Sequence, residues 1–413
     1  MITDKRMVSC TRATGTAGGR WPSRKRHSVV QCGSRSFFLS FLIFLRVVAG
    51  PAGFSAAAVK SGPLERAQSE AAQVGASGAA GLLRRIDLGD PQCRHLIRQT
   101  VERTLRFLAA SQDKETGALG SKYQVAITSL AGLAFLGAGY GYQRGTYGTN
   151  VELCVRYLLK VAQSSPTPGF LAKAGEDHPM HGHGYALLFL TQVFGELPVR
   201  RQEAVRGVIR RGIKAIALGR SWRGGWYYHV QNRRHQDENS VTVCVLQALR
   251  AARNVGFSVD SGLITGAERY LRQCQKRDGS FCYSLSGGAQ WSSFELTAGA
   301  VASLQALGLY GSGEVSRGIG YLKRCLAEVP GRPLDAARRY RFYGNLYASQ
   351  AFYQAGGSTW RSWYPAAFRQ LIEEARPAGD GLRWESHFGP QYATAVAALI
   401  LEVPLGYLPI FEK

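Results

Sequence analysis

The chain has 413 residues, 45% of them apolar and 19% charged, with 49 glycines and a net charge of +23. That composition excludes an intrinsically disordered chain, and glycine without a three-residue period excludes a collagen-like one. The length fits one large domain or two ordinary ones. The positive charge permits contact with anionic polymers or a membrane surface. However, the arginines of "RRQEAVRGVIRR" and "DAARRYR" are scattered, as on solvated helix faces, so no nucleic-acid partner is expected.

Residues 1–60 hold ten Lys/Arg and one acid, Asp4, which leaves +14 for the remainder. Within them, "FFLSFLIFL" (37–45) precedes a run of small residues with a cleavage-like Ser55-Ala56-Ala57. Basic region, short apolar core and small residues form the pattern of a secretory signal or, if retained, an N-terminal anchor. The expected location is therefore exported, secreted or periplasmic. Residues 61–90 are small and polar and read as a linker. Of eight cysteines, Cys10 and Cys32 fall in the signal. Cys274 and Cys282 are the nearest remaining pair, and export would permit a disulfide. Buried free thiols fit Cys154, Cys244 and Cys325, which lie in apolar runs.

From residue 91 to 413 the chain repeats one unit. An aromatic–aliphatic or aliphatic pair, a Gln and a Gly-x-aromatic turn recur, as in "GAERYLRQCQKRDGSF" with Tyr270-Leu271, Gln275, Gly279 and Phe281. Turn glycines fall at 117, 169, 224, 279 and 381, in steps of about 51–55 once one copy, "YLKRCLAEVPGRPL", is counted without its glycine. Six units result. Each turn follows an amphipathic, Arg-rich segment and precedes one that is apolar all round, such as "SVTVCVLQALRAARNVG" (240–256). A helix apolar on every side has to be buried on every side. The last such segment, "ATAVAALILEV", is as apolar as the middle ones, which predicts closure onto the first repeat. The expected fold is all-α: an (α/α)6 toroid of six helical hairpins in an inner and an outer ring.

These residues resemble the QW motif of squalene–hopene and oxidosqualene cyclases, and the repeat of protein prenyltransferase β subunits. The resemblance spans about 95–405 and implies the α/α toroid of that superfamily, with a hydrophobic isoprenoid-like ligand in a central cavity. The catalytic signatures of those families do not carry over. The chain has no Asp-x-Asp-Asp acid, no zinc-binding Asp and Cys two residues apart, and no Gly-Cys-Gly-Glu-Gln thioester sequence. No cofactor is expected.

Chemistry is sought where the turns enter the inner helices. In "QDENS", Asp237 or Glu238 is a candidate general acid with a pKa raised by a dry cavity. Alternatively Asn239 or Ser240 caps the helix, and its dipole would lower the acid's pKa. Glu295 is the third candidate carboxylate, although Ser292 or Ser293 with Glu295 also forms a capping box. Asp237 with Glu295 is the one pair considered for a glycosidase. His178, His181 and His183 are loosely spaced for a metal, so no metal is assigned. His183, Trp291, Tyr343, Tyr347 and Tyr392 are the candidate ligand contacts, while Trp226, Phe281 and Trp384 are expected to pack between helices. The functions open at this point are a non-catalytic toroid binding a hydrophobic small molecule or glycan, a terpenoid-cyclase-like enzyme, and a carbohydrate-active enzyme.

Overall fold

The computed structural model describes residues 90–230, 235–286 and 290–406. The signal or anchor and nearly all of the linker lie outside the described residues. Asp90, placed in the linker above, caps the first helix by accepting the Gln92 N–H at 2.9 Å.

The outer helices are α1 (Pro91–Ser111), α3 (Gly148–Ser164), α5 (Val199–Gly219), α7 (Ser261–Cys274), α9 (Gly313–Ala327) and α11 (Gly357–Glu374). The inner helices are α2 (Gln124–Gly137), α4 (Pro179–Val193), α6 (Asn239–Asn254), α8 (Phe294–Ala306), α10 (Arg341–Ala355) and α12 (Pro390–Glu402). One hairpin of two short strands, β1 (Arg376–Ala378) and β2 (Gly381–Arg383), forms the last turn.

Burial separates the two layers. Helix α7 buries a stripe at helical spacing, Leu263, Ile264, Ala267, Tyr270, Leu271 and Cys274. Helix α8 buries every residue from Phe294 to Gln305. Helix α6 is rich in β-branched residues, Val241, Thr242, Val243 and Val245, which are weak helix formers. Their propensity costs at most ~0.7 kcal/mol each, whereas burying each valine gains ~1.5–3 kcal/mol. Packing therefore decides the helix.

The inner helices contact one another in the order α2–α4–α6–α8–α10–α12, and α12 contacts α2. The ring is closed, as the repeats predict. Strand β2 and α12 also pack on α1, joining the last outer seam to the first.

The repeat residues show how neighbours are joined. Gln275 donates to its own turn at Gly279 O (3.3 Å) and to Glu314 O of the next outer helix (2.8 Å). Gln112 does the same toward Gly117 O and Asn150 O. Gly279 has φ +88°, and a Cβ there would overlap the Arg317 carbonyl of α9. Gly381 repeats this at the closing seam, where an added Cβ would lie 2.9 Å from Phe107 N of α1. Trp226, Phe281 and Trp384 are fully buried, and both tryptophans donate Nε1–H to their own outer helix, at Ile216 O and Leu371 O. The fifth turn, which lacks the glycine, is a 3₁₀ turn (Pro333–Ala337) whose Leu334 N–H is taken by Gln370.

The expected hollow through the ring is not what forms. Helices α4 and α10 face each other across the inner ring, yet their Tyr185 and Tyr347 hydroxyls lie 3.3 Å apart. Cys244 Sγ lies 3.4 Å from the Tyr347 hydroxyl, and Gln247 donates to Gln350 at 2.8 Å one turn deeper. Six helices leave a gap that two tyrosines are long enough to bridge, so the axis is filled from the second helical turn downward. All six described cysteines are free, including Cys274 and Cys282. Among the described residues no helix is long and apolar enough to cross a membrane.

The Gly279→Ala substitution should cost about 2–4 kcal/mol, combining backbone strain with displacement of α9. The Gly308→Ala substitution shares the strain (φ +85°) but meets open space, and should cost only ~1 kcal/mol. Equal losses in urea unfolding would show that close approach to the next helix plays no part.

Candidate functional site at the mouth of the inner ring

All six inner helices begin at the same end of the ring. Their first turns and the entering turns form a mouth above the Tyr185–Tyr347 bridge. Backbone hydrogen bonds join three repeats there. Met180 N–H donates to Tyr228 O (3.0 Å), Glu238 N–H to Trp226 O (2.8 Å), Asn239 N–H to Tyr283 O (2.8 Å) and Tyr283 N–H to Trp291 O (2.8 Å). These bonds hold Tyr228, Glu238, Tyr283 and Trp291 side by side.

Glu238 is the cap of α6, in place of the expected Asn239 or Ser240. Its carboxylate accepts the Ser240 N–H at 3.0 Å and the Val241 N–H at 2.8 Å. The Ser240 hydroxyl also donates to it, 2.8 Å from each oxygen. The same hydroxyl lies 3.0 Å from His181 Nε2 on α4. A continuous line thus runs from His181, partly exposed at the mouth, through Ser240 to the buried Glu238. With Glu238 ionised, Ser240 donates to it and accepts from His181 Nε2–H; with Glu238 protonated, both bonds can reverse.

Burial decides the protonation states. It pushes Glu238 up to about 7, more than its three hydrogen bonds pull it down. It pushes His181 down to about 4, with His178 adding to the effect. Near neutral pH the imidazole is therefore neutral, and the Glu238 carboxyl is close to its titration midpoint.

Aromatic rings border this line. The Tyr228 and Tyr283 hydroxyls are 2.5 Å apart. Trp291 stacks on Tyr283 at 4.8 Å and 15°, and is 52% exposed. His178 stands edge-on to Tyr228 at 4.0 Å. Across the mouth Phe388 meets both Tyr392 (5.1 Å) and Tyr123 (5.7 Å). Tyr343, in the first turn of α10, donates to Ser240 O at 3.3 Å.

The other predicted residues lie elsewhere. Asp237 precedes Glu238 in extended backbone, so its side chain points the opposite way. Its Oδ1 accepts from Tyr270 (3.0 Å), Ser284 (2.9 Å) and the Leu285 N–H (2.8 Å), and Arg223 lies 3.5 Å from Oδ2. These contacts fix the seam between the third and fourth repeats. Glu295 accepts the Tyr340 N–H at 3.3 Å and fills the space beside Gly344, in the next seam, while Ser293 caps α8 as expected. The pair Asp237 and Glu295 thus does not share one groove. Tyr347 belongs to the filled axis.

His183 is fully buried with both ring nitrogens engaged: Nδ1 accepts the Leu171 N–H at 3.0 Å and Nε2 donates to Gly212 O at 3.2 Å. The reason lies in the repeat. Thr128, Thr242, Thr297 and Thr394 each accept the turn N–H with Oγ1 at the corresponding place, from Leu119, Trp226, Phe281 and Trp384. His183 fills the threonine slot of the second repeat. Among the described residues no cluster of ligating side chains could hold a metal.

Glu238 lies at the entry to an inner helix, as its sequence position implies, whereas His181 stands in the sequence only among histidines to which no metal is assigned, and Ser240 only as a helix cap. The available signal was positional: His181, Tyr343 and Tyr392 are each the third residue of an inner helix.

No protein-family model matches the chain, and no curated protein matches it by sequence. Solved structures do. An alpha-1,6-mannanase, GH76A, from Salegentibacter sp. aligns at TM-score 0.59 and 8% identity, over 75% of this chain and 99% of that one. An inactive variant of that mannanase in complex with alpha-1,6-mannotriose aligns at 0.58 and 8%, over 74% and 98%. Cellobiose 2-epimerase from Bacillus thermoamylovorans aligns at 0.56 and 13%, over 75% and 98%. The chain is an α/α toroid. At these identities the likeness concerns the fold, and the toroid's chemistry has to come from its own mouth.

Since the folded-state pKa of Glu238 lies above its ordinary 4.5, its protonation stabilises the fold. That contribution is complete below pH 4.5 and is lost as pH rises through about 7. Relative to Glu238→Gln, the wild-type protein should lose roughly 2–3 kcal/mol between pH 4 and pH 8. Parallel stability curves would place the carboxyl in water.

Proposed function

We propose that the toroid binds a sugar chain across its mouth and moves a proton to or from it through His181, Ser240 and Glu238. The observation that carries this reading is the His181–Ser240–Glu238 line lying beneath an exposed aromatic platform. A general acid or base has to be within hydrogen-bond reach of its substrate and able to exchange a proton near the working pH. Glu238 meets the second condition, and His181, half-buried at the mouth with its ring bonded to Ser240 and to the His178 backbone, is the member of the line nearest to the first. A proton leaving the Glu238 carboxyl reaches Ser240 Oγ as the Ser240 proton passes to His181 Nε2. The carboxylate and imidazolium so formed are separated by one hydroxyl.

The platform suits a carbohydrate. Trp291, backed by Tyr283, presents a flat, half-exposed ring, with Tyr343 and Tyr392 deeper in the mouth. Apolar faces with a few fixed polar groups are the usual makeup of a small-ligand site. The solved relatives that act on mannans or cellobiose share this fold, and the inactive mannanase variant has two adjacent aspartates replaced. Asp237-Glu238 is an adjacent acidic pair here, with only Glu238 turned to the mouth. A hydrophobic ligand sunk deep in the ring, the other reading, meets a filled axis. Export directed by residues 1–60 would place the substrate outside the cell.

The full chain should be incubated with alpha-1,6-mannooligosaccharides and with cellobiose, and products followed by NMR. Turnover of at least one is expected. His181→Asn and Glu238→Gln should each lower kcat about 10²–10³-fold, and Trp291→Ala should raise KM with little change in kcat. Turnover unchanged in the two proton-relay variants would overturn the reading, as would neither binding nor turnover of any oligosaccharide.

A further inference from the structure

Beside the mouth, between the fifth and sixth repeats, lies a cleft of about 580 Å³. Its walls come from the turn before α10, the end of α11 and the turn from β2 to α12. It joins the mouth through Phe388 and Tyr392, both of which line it. Its volume suits one or two sugar rings.

The charge of this cleft is unbalanced. Glu374 takes Arg332 at 3.1 Å and pairs with Arg341, and Glu385 takes Arg383 at 3.2 Å. Arg338, Arg339 and Arg376 line the cleft with no carboxylate at ion-pair distance among the described residues; Glu373 is the one lining acid left without an arginine at that distance. All three arginines are exposed. Arg339 lies over the Tyr340 ring at 5.3 Å, which fixes it at the rim. Tyr340 in turn lies parallel to Phe388 at 6.3 Å and near His387 at 5.9 Å. A wall of rings thus faces forked cations that have surplus hydrogen-bond donors.

We infer that this cleft is a subsite for an acidic sugar, whose ring lies against Phe388, beside the Arg339-covered Tyr340, and whose oxyanion is held by Arg338, Arg339 and Arg376. The inference rests on the proposal that the ligand is a sugar chain, and it adds the class of that chain. Guanidinium forks match the planar geometry of a carboxylate and also bind sulfate. The shared chemistry is an oxyanion carried on a sugar ring. Continuity with the mouth would place the acidic unit one or two residues from the unit over His181.

The test uses the full chain and isothermal titration with four probes: a uronic-acid trisaccharide, the neutral trisaccharide of the same skeleton, a sulfated trisaccharide, and inorganic pyrophosphate. At least one acidic trisaccharide should bind about tenfold or more tightly than the neutral one, and that preference should shrink as salt is raised. Comparing the carboxylated with the sulfated probe identifies the oxyanion. In the double variant Arg338→Gln, Arg376→Gln, the preference should vanish while affinity for the neutral trisaccharide stays the same. Both positions are exposed, and an unchanged melting temperature checks that the fold is intact. Equal affinity for neutral and acidic sugars, or a preference that survives the double variant, would overturn the inference. Pyrophosphate binding without any preference among the sugars would overturn it too. The outcome is separable from that for the mouth: loss of turnover in His181→Asn speaks to the relay, whereas acid preference in binding speaks only to the cleft.

Discussion

The structure depends on the close approach of each turn to the next outer helix. In five of the six repeats a turn glycine lets the backbone of one repeat touch the backbone of the following one, and at the first and fourth turns a glutamine side chain joins the two by hydrogen bonds. Both devices act between repeats rather than within one. A unit that satisfies them on one side presents the same need on the other, and six such steps bring the last turn against α1. Closure at Gly381 likewise sets a turn glycine against the backbone of an outer helix, here α1 at Phe107 and Arg103, between chain positions far apart. That explains why the final inner helix can be as apolar as the central ones.

A second recurring device joins the two rings of helices. In five of the six repeats a buried residue two or three places after the turn glycine donates its N–H to a side chain one turn into the inner helix. Threonine serves four times and His183 once, while the fifth repeat uses Asn345 to donate to the Leu334 carbonyl at 3.1 Å. An unsatisfied backbone N–H in so buried a place would cost ~1–3 kcal/mol. His183 is thus held neutral by the fold's own requirement, with burial pushing it down to about 4. His181, two residues earlier, is free of that duty and bonds Ser240 at the mouth.

At the mouth two electrostatic effects oppose each other on one carboxyl. The N-terminus of α6 favours the charged form of Glu238, through its dipole and two backbone N–H groups. Desolvation favours the neutral form. A dipole contributes ~0.3–1 kcal/mol, whereas a rise from 4.5 to about 7 corresponds to roughly 3 kcal/mol in the other direction. Burial prevails. An acid that would serve only as a cap at an exposed helix end becomes, in this position, a group that exchanges its proton near neutral pH.

The sequence by itself determined the two-layer helical ring. Glycine spacing, the alternation of amphipathic with wholly apolar segments, and an uncapped apolar end each record burial, and burial follows from residue type and period alone. It also marked the entry to α6 as the acidic point of the mouth. What only the tertiary structure decided was direction and distance between repeats. Asp237 and Glu238 are neighbours in the chain, but extended backbone turns one into a seam and the other toward the mouth. His181 and Ser240 are 59 positions apart and meet because α4 and α6 are ring neighbours. Tyr185 and Tyr347 fill an axis that the family resemblance implied was hollow, since periodicity records which side chains leave water and not how far they reach.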